Sequence, residues 1–489
     1  MKSKELLKSK NLQNSIWNIA EVILSPLILF VSIPFFLNQL GDEDYGVWMF
    51  VNSVIIVFQT FNLGLNYSTY KHVSESISEQ DNKLVKTTLN VNLTLNNLIF
   101  LVVIIGISIL ALLIHEFDYF IDNQVVKVKL ISCVFIGAII IYSKLTEQIL
   151  YNVYRAFENF KYVTIISIVV KLVTVLGNII IAYTTQNIIY ILMFTATAAI
   201  VGLVFNFYQL IKFIPNYNYK FELSKILIKK EIKYSFFIWL QSIAVIITYQ
   251  GDRFLVSYEF GLAILTLYAI VATLFNHIHM VFGAITAWIF PQIAKNKVDK
   301  DYVFKMYQTS RNISIVISVF SLCVFSLLVE PIFSLWLGFE KYSQMADFIK
   351  WFTIFEFFFV FTIIPNYFLN ASDHEKYNLK MIIMYTSFNL IGILVGLFLF
   401  NSIVTMLIGL VISTIISMIV LHFSISKKFN TKQKNISHTI FLFIPSFLGS
   451  GTAFFDNYNY KLLSFLVCMI SIFFIYVKHY KTNFKLLTE

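Results

Sequence analysis

The chain has 489 residues and a formal net charge of +10, with 37 Lys and Arg against 27 Asp and Glu. Hydrophobic residues make up 58% of it and charged residues only 13%, about half the charged share of a soluble domain. Apolar runs long enough to cross a hydrocarbon core of ~30 Å recur along the whole length, which excludes a water-soluble globular fold and leaves a polytopic membrane protein.

In chain order, a Lys-rich start leads into the apolar run Ile16 to Leu37. That run is too long for the apolar part of a secretory signal and no small-x-small cleavage site follows, so it reads as an anchor. Fourteen spans are expected, at 14–38, 46–64, 88–114, 129–148, 163–183, 187–211, 234–257, 263–291, 312–337, 347–370, 379–400, 402–424, 438–455 and 459–478. They should be helices, because lipid leaves no unpaired backbone group satisfied and the runs lack strict alternation. Pro26 and Pro34 predict a kink in the first span. The connections are short, and no soluble domain fits between them.

Charge orients the spans. With the N-terminus in the cytoplasm, the inside segments hold 29 Lys and Arg and the outside segments 4, while Lys144, Lys171, Arg253 and Lys350 lie within spans. This positive-inside pattern puts both termini in the cytoplasm. It makes "GDEDYG" (41–46) an external hairpin, with Tyr45 and Trp48 as interfacial anchors. The basic balance reflects loop topology and anionic lipid rather than nucleic acid, for which no aromatic-basic motif is present. Cys133, Cys323 and Cys468 fall inside apolar runs and read as buried free thiols.

A weak internal repeat runs through the chain. Gly64 and Gly283 are 219 residues apart, Gly41 and Gly261 are 220 apart, and "YRAFENFKY" (154–162) matches "LNASDHEKY" (369–377) at an offset of 215. The repeat relates spans 1–6 to spans 7–12 in the same orientation, so two bundles around a central cavity are expected. The expected division is a six-helix bundle at 1–211, a cytoplasmic basic linker at 212–233, a second bundle at 234–424, and two further helices with a cytoplasmic tail at 425–489.

"LGDEDYGVW", "FNLGLNYSTYKHVSE" and "YNVYRAFENFKYVTIISIVVKL", followed by "QGDRFLVSYEFG" and "SLWLG", resemble the polysaccharide-biosynthesis flippases of the multidrug/oligosaccharidyl-lipid/polysaccharide exporter superfamily. The resemblance covers essentially the whole chain in order. It departs at Asn62, where the family often has Asp, and at Lys71, where it often has Arg. The resemblance implies a non-enzymatic carrier in a bacterial inner membrane. Such a carrier moves undecaprenyl-diphosphate-linked oligosaccharide units outward for O-antigen or capsule assembly, without a cofactor. The polymerase and other assembly proteins are the implied partners.

A diphosphate-sugar head group needs a polar, partly cationic path, and polar residues at helical spacing are candidates to line it. Span 1 offers Asn14, Asn18, Glu21 and Ser25, and span 5 offers Ser167, Lys171, Thr174 and Asn178, each set on one face. Span 7 offers Gln241, Thr248 and Asp252, and span 3 offers Asn90, Thr94 and Asn97. Lys171 lies ten residues above Lys161, roughly 15 Å up the helix and so near the midplane. It is the first candidate for substrate binding, and Glu21 is the candidate for its counter-ion. Arg253, 20 residues beyond Lys233 and so near the outer surface, is a second binding candidate, with an interfacial snorkeller as the alternative reading. Glu21, Asp252 and Glu356 are the candidates for ion coupling. Glu147 and Lys144 read as a solvated helix end. His277 and His279 point to different faces, read as core histidines and make no metal pair.

No P-loop, H-E-x-x-H, G-x-S-x-G or Cys/His cluster is present. Rival readings within the same fold are a drug or cation antiporter and a lipid II flippase. The rival of another class is a membrane polymerase or ligase, against which the arginine-free external gap at 115–129 counts.

The orientation is testable directly. A cysteine at Asp42 should react with a membrane-impermeant maleimide in permeabilised whole cells, and one at Lys230 should not. The reverse pattern inverts the topology.

Overall fold

The computed structural model describes residues 10–116, 124–286, 289, 293, 300–429 and 443–480, and for some of them, including 10–23 and 474–480, the backbone only. Among these residues the structure is all-helical, with no strand. In chain order the helices are α1 Lys10–Gln59, α2 Leu65–Ser78, α3 Asn82–Glu116, α4 Gln124–Ala156, α5 Phe160–Thr185 and α6 Ile188–Phe213, then α7 Lys225–Thr286, α8 Lys300–Leu337, α9 Phe339–Phe359 and α10 Ile363–Ala371, and finally α11 Glu375–Phe400, α12 Ile403–Lys428, α13 Ile444–Phe454 and α14 Tyr458–Tyr480. Each of the fourteen expected spans falls on a helix as far as it is described. Nine described helical stretches are long and apolar enough to cross a membrane, so the chain is a multi-pass membrane protein.

The lengths of α1 and α7 require a bend. A straight helix of 50 residues, the length of α1, would run about 75 Å, more than twice the hydrocarbon core. The dihedrals leave the helical region at Gly41 (φ 73°, ψ 175°) in α1 and at Gly261 (φ 79°, ψ 176°) in α7. Only glycine adopts this backbone at low cost. The first helix therefore breaks at Gly41, beyond Pro26 and Pro34.

That elbow explains the acidic cluster. Asp42, Glu43 and Asp44 open the second arm of α1, where negative charge meets the positive end of the helix dipole. Asp44 also pairs with Lys129 Nζ at 2.7 Å. Tyr45 is only 2% exposed, so it is a core residue rather than an interfacial anchor.

The two elbows meet. Thr266 Oγ1 donates to the Asp42 carbonyl at 2.5 Å, and a Cβ on Gly46 would lie 2.1 Å from the Leu262 carbonyl oxygen. Moving each residue by the 220-residue offset turns the Asp42–Thr266 pair into the Leu262–Gly46 pair, so the contact is reciprocal, as at a two-fold axis.

The repeat extends through the helix boundaries. α5 and α11 both hold 26 residues, as do α6 and α12, and each pair starts and ends 215 residues apart. The left-handed residues Glu158 and Asp373, and Gln186 and Asn401, keep the same offset. Gly177 faces Phe194 across α5 and α6, and Gly392 faces Gly409 across α11 and α12, again at matching positions. The Gly64 match does not extend to the backbone: Gly64 has φ 73°, whereas Gly283 is helical.

The chain divides into two compact units, residues 1–246 with 253–266 and residues 247–252 with 267–489. In the first, a core of Val73, Leu89, Leu150, Tyr154, Leu210 and Tyr217 knits α2, α3, α4 and α6 together. In the second, α13 packs against α8 and α9, with Gly449 close to Phe357, Cys323 and Val319. The three cysteines are buried free thiols, as expected.

The crossing at Gly46 yields a direct test. Gly46→Ala drives a methyl group into the Leu262 backbone and should destabilise the protein by about 1–3 kcal/mol. Gly251→Ala, whose Cβ would meet only Ile247 Cγ2 at 3.8 Å, should leave the thermal unfolding midpoint in detergent unchanged.

Candidate functional site

In the first unit, α5 sorts its residues by face. Ile165, Val169, Leu172, Val173, Leu176 and Ile180 are exposed along one side, and Thr164, Val175, Asn178 and Ala182 are buried along the other. At 100° per residue, Lys171 falls on the buried side with Ser167 and Thr174. Lys171 thus points away from the exposed apolar row and into the unit, partly buried.

Its companions on the stripe have local partners. Ser167 Oγ donates to the Thr164 carbonyl at 3.0 Å, and Thr174 Oγ1 to the Val170 carbonyl at 2.7 Å. Asn178 exchanges hydrogen bonds with Thr195 of α6 at 2.9 and 3.2 Å and so stitches the α5–α6 seam. α1 packs against α5, but the side chains of Asn14, Asn18, Glu21 and Ser25 lie outside the described residues. Arg253 is 4% exposed, which rules out a snorkelling position.

Glu147 corrects the reading of a solvated helix end. Its carboxylate is 7% exposed. It accepts from Lys144 Nζ at 2.7 Å, Tyr151 Oη at 2.7 Å and Asn206 Nδ2 at 3.5 Å. Tyr162 in turn donates to Asn206 Oδ1 at 3.3 Å. α4, α5 and α6 are thereby joined by a polar chain inside an apolar core. Lys144 keeps a side-chain exposure of 40% and projects opposite the exposed Phe135 and Ile139, away from lipid.

The stretch expected as a basic linker is more structured than its composition implies. α6 ends at Phe213 and α7 begins at Lys225, and between them Tyr217 to Glu222 runs along α3. Tyr217 Oη and the Lys220 amide donate to Asn90 Oδ1 at 3.0 and 3.3 Å. The Glu222 amide donates to Thr94 Oγ1 at 3.1 Å, and Asn97 Nδ2 to Tyr219 Oη at 3.2 Å. The polar stripe of α3 therefore binds this strap. At the start of α7, buried Glu231 pairs with His72 of α2 at 2.7 Å.

In the second unit, His279 and Glu356 meet at 2.8 Å, with side-chain exposures of 13% and 1%. Tyr249 and Phe359 flank the imidazole, with ring centroids 6.2 and 4.8 Å away. His279 is thus the satisfied core histidine expected from the sequence. The Asp252 carboxylate accepts from the Tyr268 hydroxyl, and Thr248 bonds Thr386 at 2.8 Å. Among the described residues no group of three His, Cys, Asp or Glu could hold a metal ion.

The His72–Glu231 and His279–Glu356 pairs escaped the sequence because their partners are 159 and 77 residues apart. A helical wheel of α4 would have flagged Lys144 and Glu147, which lie away from its lipid row.

Stability of the Glu147 network can be measured. Glu147→Leu strands Lys144 and Asn206 and should cost roughly 2 kcal/mol, below the range for a fully buried pair because Lys144 is partly open. The double change Lys144→Met/Glu147→Leu should recover most of that loss in thermal unfolding.

Comparison with known proteins places this geometry. The family described as "Polysaccharide biosynthesis protein" matches residues 11–297. No curated protein matches the chain. Among solved structures, the lipid II flippase MurJ in an inward closed conformation is similar at a TM-score of 0.71 and 12% identity, over 95% of this chain and 99% of that one. An inward-facing multidrug resistance MATE family transporter of the MOP superfamily is similar at 0.68 and 11%, over 85% and 98%. A MOP superfamily transporter from Pyrococcus furiosus is similar at 0.54 and 13%, over 85% and 94%. At these identities the structures establish a shared fold, and the match over residues 11–297 establishes that the chain belongs to the polysaccharide biosynthesis protein family.

Proposed function

We propose that this chain is a flippase. It carries an oligosaccharide repeat unit, linked through a diphosphate to an undecaprenyl tail, from the cytoplasmic to the outer leaflet of a bacterial inner membrane. The product feeds O-antigen or capsular polysaccharide assembly, with the polymerase as a downstream partner. Family membership supports the pathway, and a fold shared with a lipid II flippase and with MATE transporters supports translocation. In this reading the bundles 1–211 and 234–424, joined by 212–233, carry out alternating access, and 425–489 is an appendage.

The observation that carries the proposal is the orientation of Lys171. A lysine near the midplane costs ~2.5–3.5 kcal/mol on insertion scales when it faces lipid, and α5 turns it away from its lipid-facing row. A fixed ammonium at that depth offsets much of the desolvation of a diphosphate crossing the same level. Arg253, with Asn14, Asn18, Ser167 and Thr174, completes the proposed path. Asn178, committed to the α5–α6 seam, acts there as support. Glu356, held by His279, with Asp252 and Glu21, is the proposed proton or cation relay.

Lys171→Ala and Lys171→Glu should abolish surface glycan while the protein inserts at normal levels. Lys171→Arg should retain part of it, since lysine binds phosphate as a point charge. Surface glycan labelling measures all three. Normal export by the double variant Lys171→Leu/Glu21→Leu would show that Lys171 only neutralises Glu21 and would reject its substrate role.

A further inference from the structure

Buried charges in this protein are held by partners, as with Glu147 by Lys144, Glu231 by His72 and Glu356 by His279. Arg311 in α8 is different. It is 3% exposed, and among the described residues no carboxylate lies within ion-pair distance. Its guanidinium makes two long hydrogen bonds to the neighbouring Asn312 Oδ1, 3.4 Å from Nε and 3.3 Å from Nη2. Tyr307 lies beside it, with the ring centroid 5.5 Å from Cζ. Five N–H donors on a delocalised cation are poorly served by one amide oxygen and one neighbouring tyrosine. A buried charge left in that state is strongly unfavourable.

The surroundings define what is missing. Phe368 of α10 stacks near Tyr307 at 4.5 Å. His422 of α12 is 1% exposed, lies within electrostatic reach of Arg311, and is walled by Phe361 and Phe443 at 5.5 and 5.6 Å. His422 Nδ1 faces the Met418 carbonyl at 3.1 Å, which makes it the donor and leaves Nε2 as an acceptor. Nε2 is buried and has no hydrogen-bond partner. The site thus offers a planar cationic fork and one lone-pair acceptor, with apolar walls. Chloride satisfies the cation alone. A singly protonated phosphoryl group satisfies both, its P–O⁻ oxygens on the guanidinium and its P–OH on Nε2.

We propose that Arg311, His422 and Tyr307 form a phosphoryl-binding site within the second unit, between α8, α10 and α12, that takes a phosphomonoester or inorganic hydrogenphosphate. Arg311 immediately precedes the span expected at 312–337 and so lies level with the membrane boundary. Basic pockets between helices at that level take lipid head groups, and soluble phosphate reaches the same height. The site is separate from Lys171 and does not depend on the transport reading.

Thermal unfolding of the purified full-length protein in neutral detergent tests it. The probes are sodium phosphate, phosphatidic acid in mixed micelles, and sodium chloride at matched ionic strength. Phosphate or phosphatidic acid should raise the midpoint by at least about 2 °C beyond chloride, in a concentration-dependent way. A response to phosphate indicates a free oxyanion, and a response to phosphatidic acid alone indicates a lipid head group. Arg311→Gln should abolish the difference. If Arg311→Gln gives no folded protein, His422→Phe should remove the preference for a phosphoryl probe over chloride. A wild type that does not distinguish the probes from chloride overturns the proposal, and so does either variant responding as the wild type does.

Discussion

Inside a hydrocarbon layer an unpaired amide or charge has no water to turn to, and the architecture follows from that deprivation. Backbone groups close on themselves as helices. Carboxylates within the apolar segments are tied down, Glu147 by three donors and Glu356 by an imidazole. Where a helix is too long for the layer it must turn without exposing amides to lipid. Gly41 and Gly261 make that turn with matching dihedrals. Three carboxylates then open the arm after Gly41, where a helix N-terminus favours them.

The elbows also show how duplication is retained when side chains diverge. Helix limits, left-handed caps and close-approach points repeat at one offset although few residue identities do. Backbone geometry tolerates little change at such points. Gly392 and Gly409 approach backbone to backbone, whereas in the first unit the matching pair is Gly177 against the Phe194 ring. The same crossing is thus filled in two ways.

Polar residues within the spans do more than one job. Asn178 and Thr195 join two helices, Asn90 and Thr94 hold a strap, and Ser167 bonds its own backbone. Such hydrogen bonds are worth about 0.6–2 kcal/mol each in a membrane, enough to define seams without locking the bundle. In the proposed function Lys171 is set apart from these, because a charge expected near the midplane needs water, a counter-ion or a substrate. That demand supports a functional role more strongly than any polar stripe does.

The order of apolar runs and the distribution of Lys and Arg were enough to read a fourteen-span, all-helical membrane protein, since span length and insertion energy are local quantities. The 215- and 220-residue matches were legible because elbows and caps need particular residues, above all Gly41 and Gly261. Pairings between distant segments were not legible. His72 with Glu231, Glu147 with Asn206, and the strap on Asn90 depend on which helix faces bring those side chains together. The same holds for Arg311, which precedes the span expected at 312–337 and which the structure buries beside Tyr307. Local periodicity determines which face of a helix avoids lipid. What that face meets is decided only when the helices pack, because a buried polar group is satisfied by partners that no single segment contains.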